Sequence, residues 1–122
     1  MMPQHVNVWG TVFGGVLLTH MDEACGLEAI RCTNHKVVTV AIKEVLFKEP
    51  VRVADLVSFY SRVVKLGRTS ITVAANVVVE RRGEEPHEVA SCEMVFVTVS
   101  DAGEKCPVEC ILPAEELEKL QL

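Results

Sequence analysis

The chemically most telling part of this sequence is a carboxylate set into a helix that begins on glycines. Asn7-x-x-Gly10-x-x-Phe13-Gly14-Gly15 leads into an apolar run broken by Met21-Asp22-Glu23-Ala24. Glycines at a helix start leave backbone N–H groups open to a ligand, at the end of the helix dipole that favours negative charge. Asp22 follows about two turns further in. An oxyanion-binding helix end and a candidate base are what acyl transfer or hydrolysis requires. The lysine and Ser/Thr of a phosphate loop are absent. No Gly-x-Ser-x-Gly elbow supports a serine hydrolase, and His5, His20, His35 and His87 are scattered, none at ligand spacing to another.

Each of these residues also has a plainer reading. At three and four residues from Asp22 lie Leu18, Thr19, Cys25 and Gly26, a surround in which an ionised carboxylate is costly without a partner or a purpose. A structural hydrogen-bonder and a catalytic group fit this pattern equally well. Glu23, beside His20 and Leu27, is expected in solvent. Asn7 reads as a turn former. Trp9 caps a pocket or anchors its loop. Gly67-Arg68-Thr69-Ser70 reads as a hairpin turn. Lys65, Arg68, Arg81 and Arg82 are the cations nearest strand ends, and exposed cations are ordinarily just solvated.

The elements that would position these groups follow from periodicity. Leu17, Leu18, Met21, Ala24, Cys25 and Ala29 recur at three- and four-residue steps, which predicts one helix over 14–31, stopped near Thr33-Asn34-His35. Residues 1–13 read as irregular, with room for one short strand. Beyond the helix the period becomes two. Val38, Val40 and Ile42 alternate with Thr39, Ala41 and Lys43. Similar runs span Leu56 to Leu66, Thr69 to Arg82 and Glu88 to Ser100, rich in β-branched residues. The connections, Lys48 to Asp55, Gly67-Arg68 and Gly83 to His87, have no room for a crossover helix, so the strands are expected to be antiparallel neighbours. Long antiparallel strands coil, and can curl around a single helix. The expectation is an α+β fold, a long central helix wrapped by a curved antiparallel sheet. A short helix is expected from Pro113 onward.

With 122 residues and 49% apolar content, the chain suits one domain over 1–122, with a C-terminal tail from about 101. Charge is ordinary at 24% and disfavours disorder. Of the net charge of −5, residues 101–122 carry −4. The rest is nearly neutral, which argues against nucleic acid as a partner. No apolar run reaches bilayer length and no basic-then-apolar leader opens the chain, so no membrane partner is expected and the cytoplasm is the expected compartment. Cys25, Cys32 and Cys92 sit in apolar patterns as small core residues. Cys106-x-x-x-Cys110 has Pro107 between and no second ligand pair, so no metal is expected. One helix covers one sheet face, and the apolar residues on the other face call for a homo-oligomer.

Taken together, Asn7-x-x-Gly10, Phe13-Gly14-Gly15, Met21-Asp22-Glu23-Ala24, Val38-Thr39-Val40, Phe47-x-x-Pro50-Val51, Gly67-Arg68-Thr69-Ser70 and Phe96-Val97 occur in one order over roughly residues 7–100. In this the chain resembles the hotdog-fold acyl-CoA thioesterases, in particular the acyl-CoA hydrolase family with short bacterial members. Family members usually carry a first strand before the Asn segment. Only six residues precede Asn7 here, so that strand is shortened or the start is misassigned. The resemblance implies hydrolysis of an acyl-CoA to free CoA and a carboxylic acid, with no cofactor beyond the coenzyme A of the substrate. It implies Asp22 as general base or nucleophile, Asn7 of a partner subunit assisting, and amides at Gly14 and Gly15 taking the oxyanion. It implies CoA contacts at Lys65, Gly67, Arg68, Thr69, Ser70 and Arg81. It also implies self-association as a dimer, extended to a tetramer or hexamer. Two rivals are a non-catalytic acyl-CoA-binding or regulatory hotdog module, and a hotdog dehydratase, which would need an Asp and a His acting together. His20 and Asp22, two residues apart, should point to different helix faces.

Overall fold

The computed structural model describes residues 14–33, 35–52 and 55–108. Helix α1 runs Gly14–Cys32 and is followed by strands β1 (Lys36–Phe47), β2 (Leu56–Leu66), β3 (Ser70–Glu80) and β4 (His87–Val99). Leu17, Met21, Cys25, Ala29 and Cys32 form the buried stripe of α1. Their four- and three-residue steps keep one face of the helix on the sheet. β3 supplies alternate residues to the same core, Ile71, Val73, Ala75, Val77 and Val79, and β4 supplies Ala90, Cys92, Met94 and Phe96. Cys25, Cys32 and Cys92 are buried, as their apolar contexts predict.

All strand pairs are antiparallel. The sheet order is β1-β4-β3-β2, which corrects one expectation: β1 and β2 are joined by a short link yet lie on opposite edges. Since β1 and β2 run in opposite directions, the end of one and the start of the other share one end of the sheet. The gap is three strand spacings, roughly 14 Å, and eight residues at about 3.3 Å each can span it. The link is fastened as it passes β4, with Lys48 N and Glu49 N both donating to Val89 O (2.7 and 3.3 Å). Length alone therefore did not separate a hairpin from a crossover.

Register shifts bend the strands around the helix. They fall between Thr39 and Ala41 and between Lys43 and Leu46 in β1, at Val63/Lys65 in β2 and at Val77/Val78 in β3. Within the second β1 bulge Glu44 has φ of 51°. As an edge strand, β1 stays exposed along much of its length: Val38, Val40, Ile42, Leu46 and Phe47 are all large, apolar and open. Among the described residues no strand pairs with its free edge. No helix there is long and apolar enough to cross a membrane. The C-terminal helix expected from Pro113 and the segment holding Asn7, Trp9 and Gly10 lie outside the described residues.

Candidate active site

Asp22 sits one position after the fully buried Met21, at the margin of the core stripe, and is half-buried. Its Oδ1 accepts a hydrogen bond from Thr39 Oγ1 at 2.9 Å. Thr39 pairs with Phe96, and Phe96 belongs to the core, so the threonine lies on the helix side of β1. Within Val38-Thr39-Val40 nothing in the sequence marks Thr39 for a role. Its one signal was a polar residue between two valines on a strand, which does not say which face is buried. Glu23, one residue after Asp22, is 66% exposed and lies 3.6 Å from His20. The His20 ring turns to β2, 5.7 Å from Phe59. Asp22 and His20 thus lie on opposite flanks of the helix, and the paired Asp and His of a dehydratase do not meet.

Gly14 and Gly15 open α1. A Cβ at Gly14 would touch the Phe47 ring at 3.5 Å, so the ring lies on bare backbone, whereas a Cβ at Gly15 would meet no atom of the described residues within 4 Å. The helix start borders a cleft of about 280 Å³ lined by Gly14, Leu17, Phe47, Lys48, Glu49, Pro50 and Val51, five of them apolar. Asp22 is eight residues along the same helix, about 12 Å away. A single thioester carbonyl cannot touch both.

The expected CoA contacts divide. Gly67 N donates to Ser70 O at 2.9 Å to close the β2–β3 hairpin. Thr69 O accepts from Thr98 N, and Arg68 O from Val108 N, each at 2.9 Å. Lys65 and Arg68 are exposed. The cross-strand row Leu66–Ile71–Phe96–Thr39 places this hairpin at the Thr39 end of the sheet. Arg81 lies just past the other end of β3, about 35 Å away along the strand. The structure therefore does not bring Arg81 together with Lys65, Gly67, Arg68, Thr69 and Ser70 of its own chain.

Arg81 is instead tied into the crossover. Its Nε donates to Asp55 Oδ1 at 3.0 Å and its Nη2 to Pro50 O at 2.9 Å. Burial pushes the Asp55 carboxyl up, but the Arg81 hydrogen bond, the Arg52 amide and the guanidinium charge outweigh it and hold the carboxyl below its ordinary 3.8. Beside this pair His87 Nδ1 meets Glu85 O at 3.1 Å, and Nε2 lies 2.7 Å from Glu49 Oε2, a charge contact out of line for a hydrogen bond.

These contacts set a pH dependence. The Glu85 carbonyl, and then Glu49, raise the His87 pKa above its ordinary 6.5 against the opposing effect of burial. A raised folded-state value stabilises the fold below about pH 6.5, and that stability is lost as pH rises through the folded value. Asp55 has the opposite sign and loses its contribution only as pH falls through its depressed value. His87→Gln is therefore expected to lower Tm at about pH 5.5 and to match the wild type by about pH 8.5. A Tm difference that does not change between those pH values would refute the linkage.

One long helix packed on a four-stranded, bulged antiparallel sheet is the architecture of a hotdog fold. Comparison with known proteins agrees. Residues 9–85 match the thioesterase superfamily. The chain is 37% identical over 112 residues to the uncharacterized acyl-CoA thioester hydrolase ZMO0511 of Zymomonas mobilis, spanning 88% of this chain and 72% of that one. It is 33% identical to the acyl-CoA thioester hydrolase YciA of Salmonella typhimurium, over 88% and 84% of the two chains. Among solved structures it is similar to Cj0915, a hexameric hotdog thioesterase of Campylobacter jejuni (TM-score 0.82, 35% identity, 97% and 88% of the chains). It is also similar to a mutant of HI0827, a hexameric broad-specificity acyl-coenzyme A thioesterase (TM-score 0.86, 30% identity, 97% and 87%). The chain belongs to the thioesterase superfamily, among its acyl-CoA thioester hydrolases.

Proposed function

We propose that this chain hydrolyses acyl-CoA to free CoA and a carboxylic acid with Asp22 at the reacting centre. The observation that carries the reading is the Thr39–Asp22 hydrogen bond. It fixes one carboxylate oxygen and leaves Oδ2 for chemistry. Oδ2 either takes a proton from the attacking water or attacks the thioester carbonyl itself to give a transient anhydride. The developing oxyanion is taken by amides at Gly14 and Gly15. Because these lie about 12 Å from Asp22 of the same chain, the working site joins Asp22 of one copy to Asn7 and the helix start of another.

Self-association follows from that geometry and from the open apolar edge of β1. The hexameric state of the similar thioesterases makes a hexamer the assembly we assign. The CoA moiety is assigned to the exposed Lys65 and Arg68 with the Gly67–Ser70 hairpin, a reading supported by their lying at the Thr39 end of the sheet. The reaction assigned here uses no metal or redox cofactor. Cys25, Cys92 and Cys106 carry free thiols, which suits a reducing cytoplasm.

Free-thiol release from a panel of acyl-CoAs tests the reading. Thr39→Val removes one hydrogen bond to a charged group, so kcat should fall roughly tenfold or more with KM little changed. Equal kcat in wild type and Thr39→Val would remove Thr39 from the site. Saturable CoA binding with no thiol release by the wild type would leave a binding module in place of an enzyme.

A further inference from the structure

Two clefts stand back to back at the β1–β2 crossover. One is the apolar cleft of about 280 Å³ at the helix start. The other, of about 330 Å³, is charged and lined by Glu49, Pro50, Arg52, Arg81, Glu84 and His87. Glu49 and Pro50 line both, so a single layer of chain separates them. We infer that Arg81 is a positioning residue that fixes this wall and thereby sets the acyl length the apolar cleft accepts. The substrate in this inference rests on the thioesterase reading above. The placement of the wall rests on geometry alone.

Proline has no N–H, so the carbonyl is the one backbone group by which Pro50 can be held. Arg81 holds it, and with the same guanidinium it holds Asp55. Asp55 in turn accepts from Arg52 N at 2.8 Å. One planar fork thus grips the crossover at both of its ends. Its side chain is 14% exposed and that of Asp55 6%. Glu49 and Glu84 lie 4.0 Å from it on the solvent side. A guanidinium so neutralised, with two of its N–H groups already taken by Asp55 and the Pro50 carbonyl, is committed to the wall. Lysine cannot replace it, because a single ammonium does not reproduce two fixed, divergent N–H directions.

Release of Pro50 would let the clefts merge. Long acyl chains would then gain room and short ones would lose contact. Arg81→Lys keeps the charge beside Asp55 but gives up the fork. Arg81→Met/Asp55→Leu removes both charges together, so that no unpaired carboxylate is left to unfold the protein. For each, kcat/KM is measured from acetyl- to palmitoyl-CoA, together with inhibition by free CoA and amide hydrogen exchange over Phe47–Arg52.

The expected result is a long-to-short kcat/KM ratio raised by about tenfold or more, CoA inhibition within about twofold of wild type, and faster exchange over Lys48–Val51. A KM raised at every chain length, with weaker CoA inhibition, would make Arg81 a phosphate contact and overturn the inference. An unchanged length profile with only a lower Tm would reduce it to a structural residue. If the wild type releases no thiol from any acyl-CoA, the enzyme reading fails by itself. The exchange data still decide the wall, since unchanged exchange in both variants overturns the role of Arg81.

Discussion

Asp22→Asn is expected to abolish turnover in a protein that stays folded. Asparagine keeps the size of the side chain and an oxygen for the Thr39 hydroxyl, which donates to Oδ1 in the native site. It loses the basicity and nucleophilicity of the carboxylate. Asp22 lies at the margin of the stripe formed by Met21 and Cys25, not within it, so the exchange opens no cavity. Removal of a general base costs roughly 10²- to 10⁴-fold, and a drop of that size in kcat/KM is the expected result, with Tm within a few degrees of wild type. Glu23→Gln is the control. Its carboxylate is exposed and lies 3.6 Å from His20, and the variant should retain wild-type activity. A folded Asp22→Asn enzyme that keeps more than about a tenth of its turnover would remove Asp22 from the reacting centre.

Two inactive variants are expected to rescue each other. The helix start and Asp22 of one chain lie about 12 Å apart along α1, and the site proposed above therefore draws on two copies. Among the described residues no strand pairs with the outer edge of β1, where Val38, Val40 and Ile42 are all more than 40% exposed. Such an edge invites pairing unless another copy covers it. Asn7→Ala and Asp22→Asn should each be inactive alone. When they are denatured and refolded together in equal amounts, half of random pairs are mixed and each mixed pair holds one intact site, so about a quarter of wild-type activity returns. No recovery, from a mixture shown by mass to contain mixed assemblies, would place the whole site within one chain. Val40→Lys gives an independent reading. A charge at the covered edge should dissociate the assembly and remove activity together, as followed by light scattering and thiol release. A fully active monomer would contradict the shared site.

The local architecture is legible in the order of residues alone. Three- and four-residue steps from Leu17 to Ala29 described α1 to within a residue of its observed Gly14–Cys32 bounds. Alternation located all four strands, and Gly83, at φ of 83°, marks the turn between β3 and β4. Asp22 was legible as a candidate because a carboxylate among small and apolar neighbours is a local anomaly. Period and anomaly are both written in neighbouring residues.

Contacts between partners far apart in the chain are settled by the packing of the sheet. The short β1–β2 link was read as a connection between neighbours, yet it crosses the sheet, because eight residues can do either and the choice belongs to β4 and β3. Thr39 meets Asp22 across 17 positions, and Arg81 meets Asp55 across 26. No spacing rule connects either pair. The alternation in β1 showed two faces but not which was inward, and the bulges between Thr39 and Leu46 alter that facing along the strand. In the sequence Arg81 looks like the hairpin cations, one more charge at a strand end. The two ends of β3 are one strand length apart, and a charge at one of them is spent on the crossover because Asp55 and the Pro50 carbonyl come within reach only once the sheet has closed over the helix.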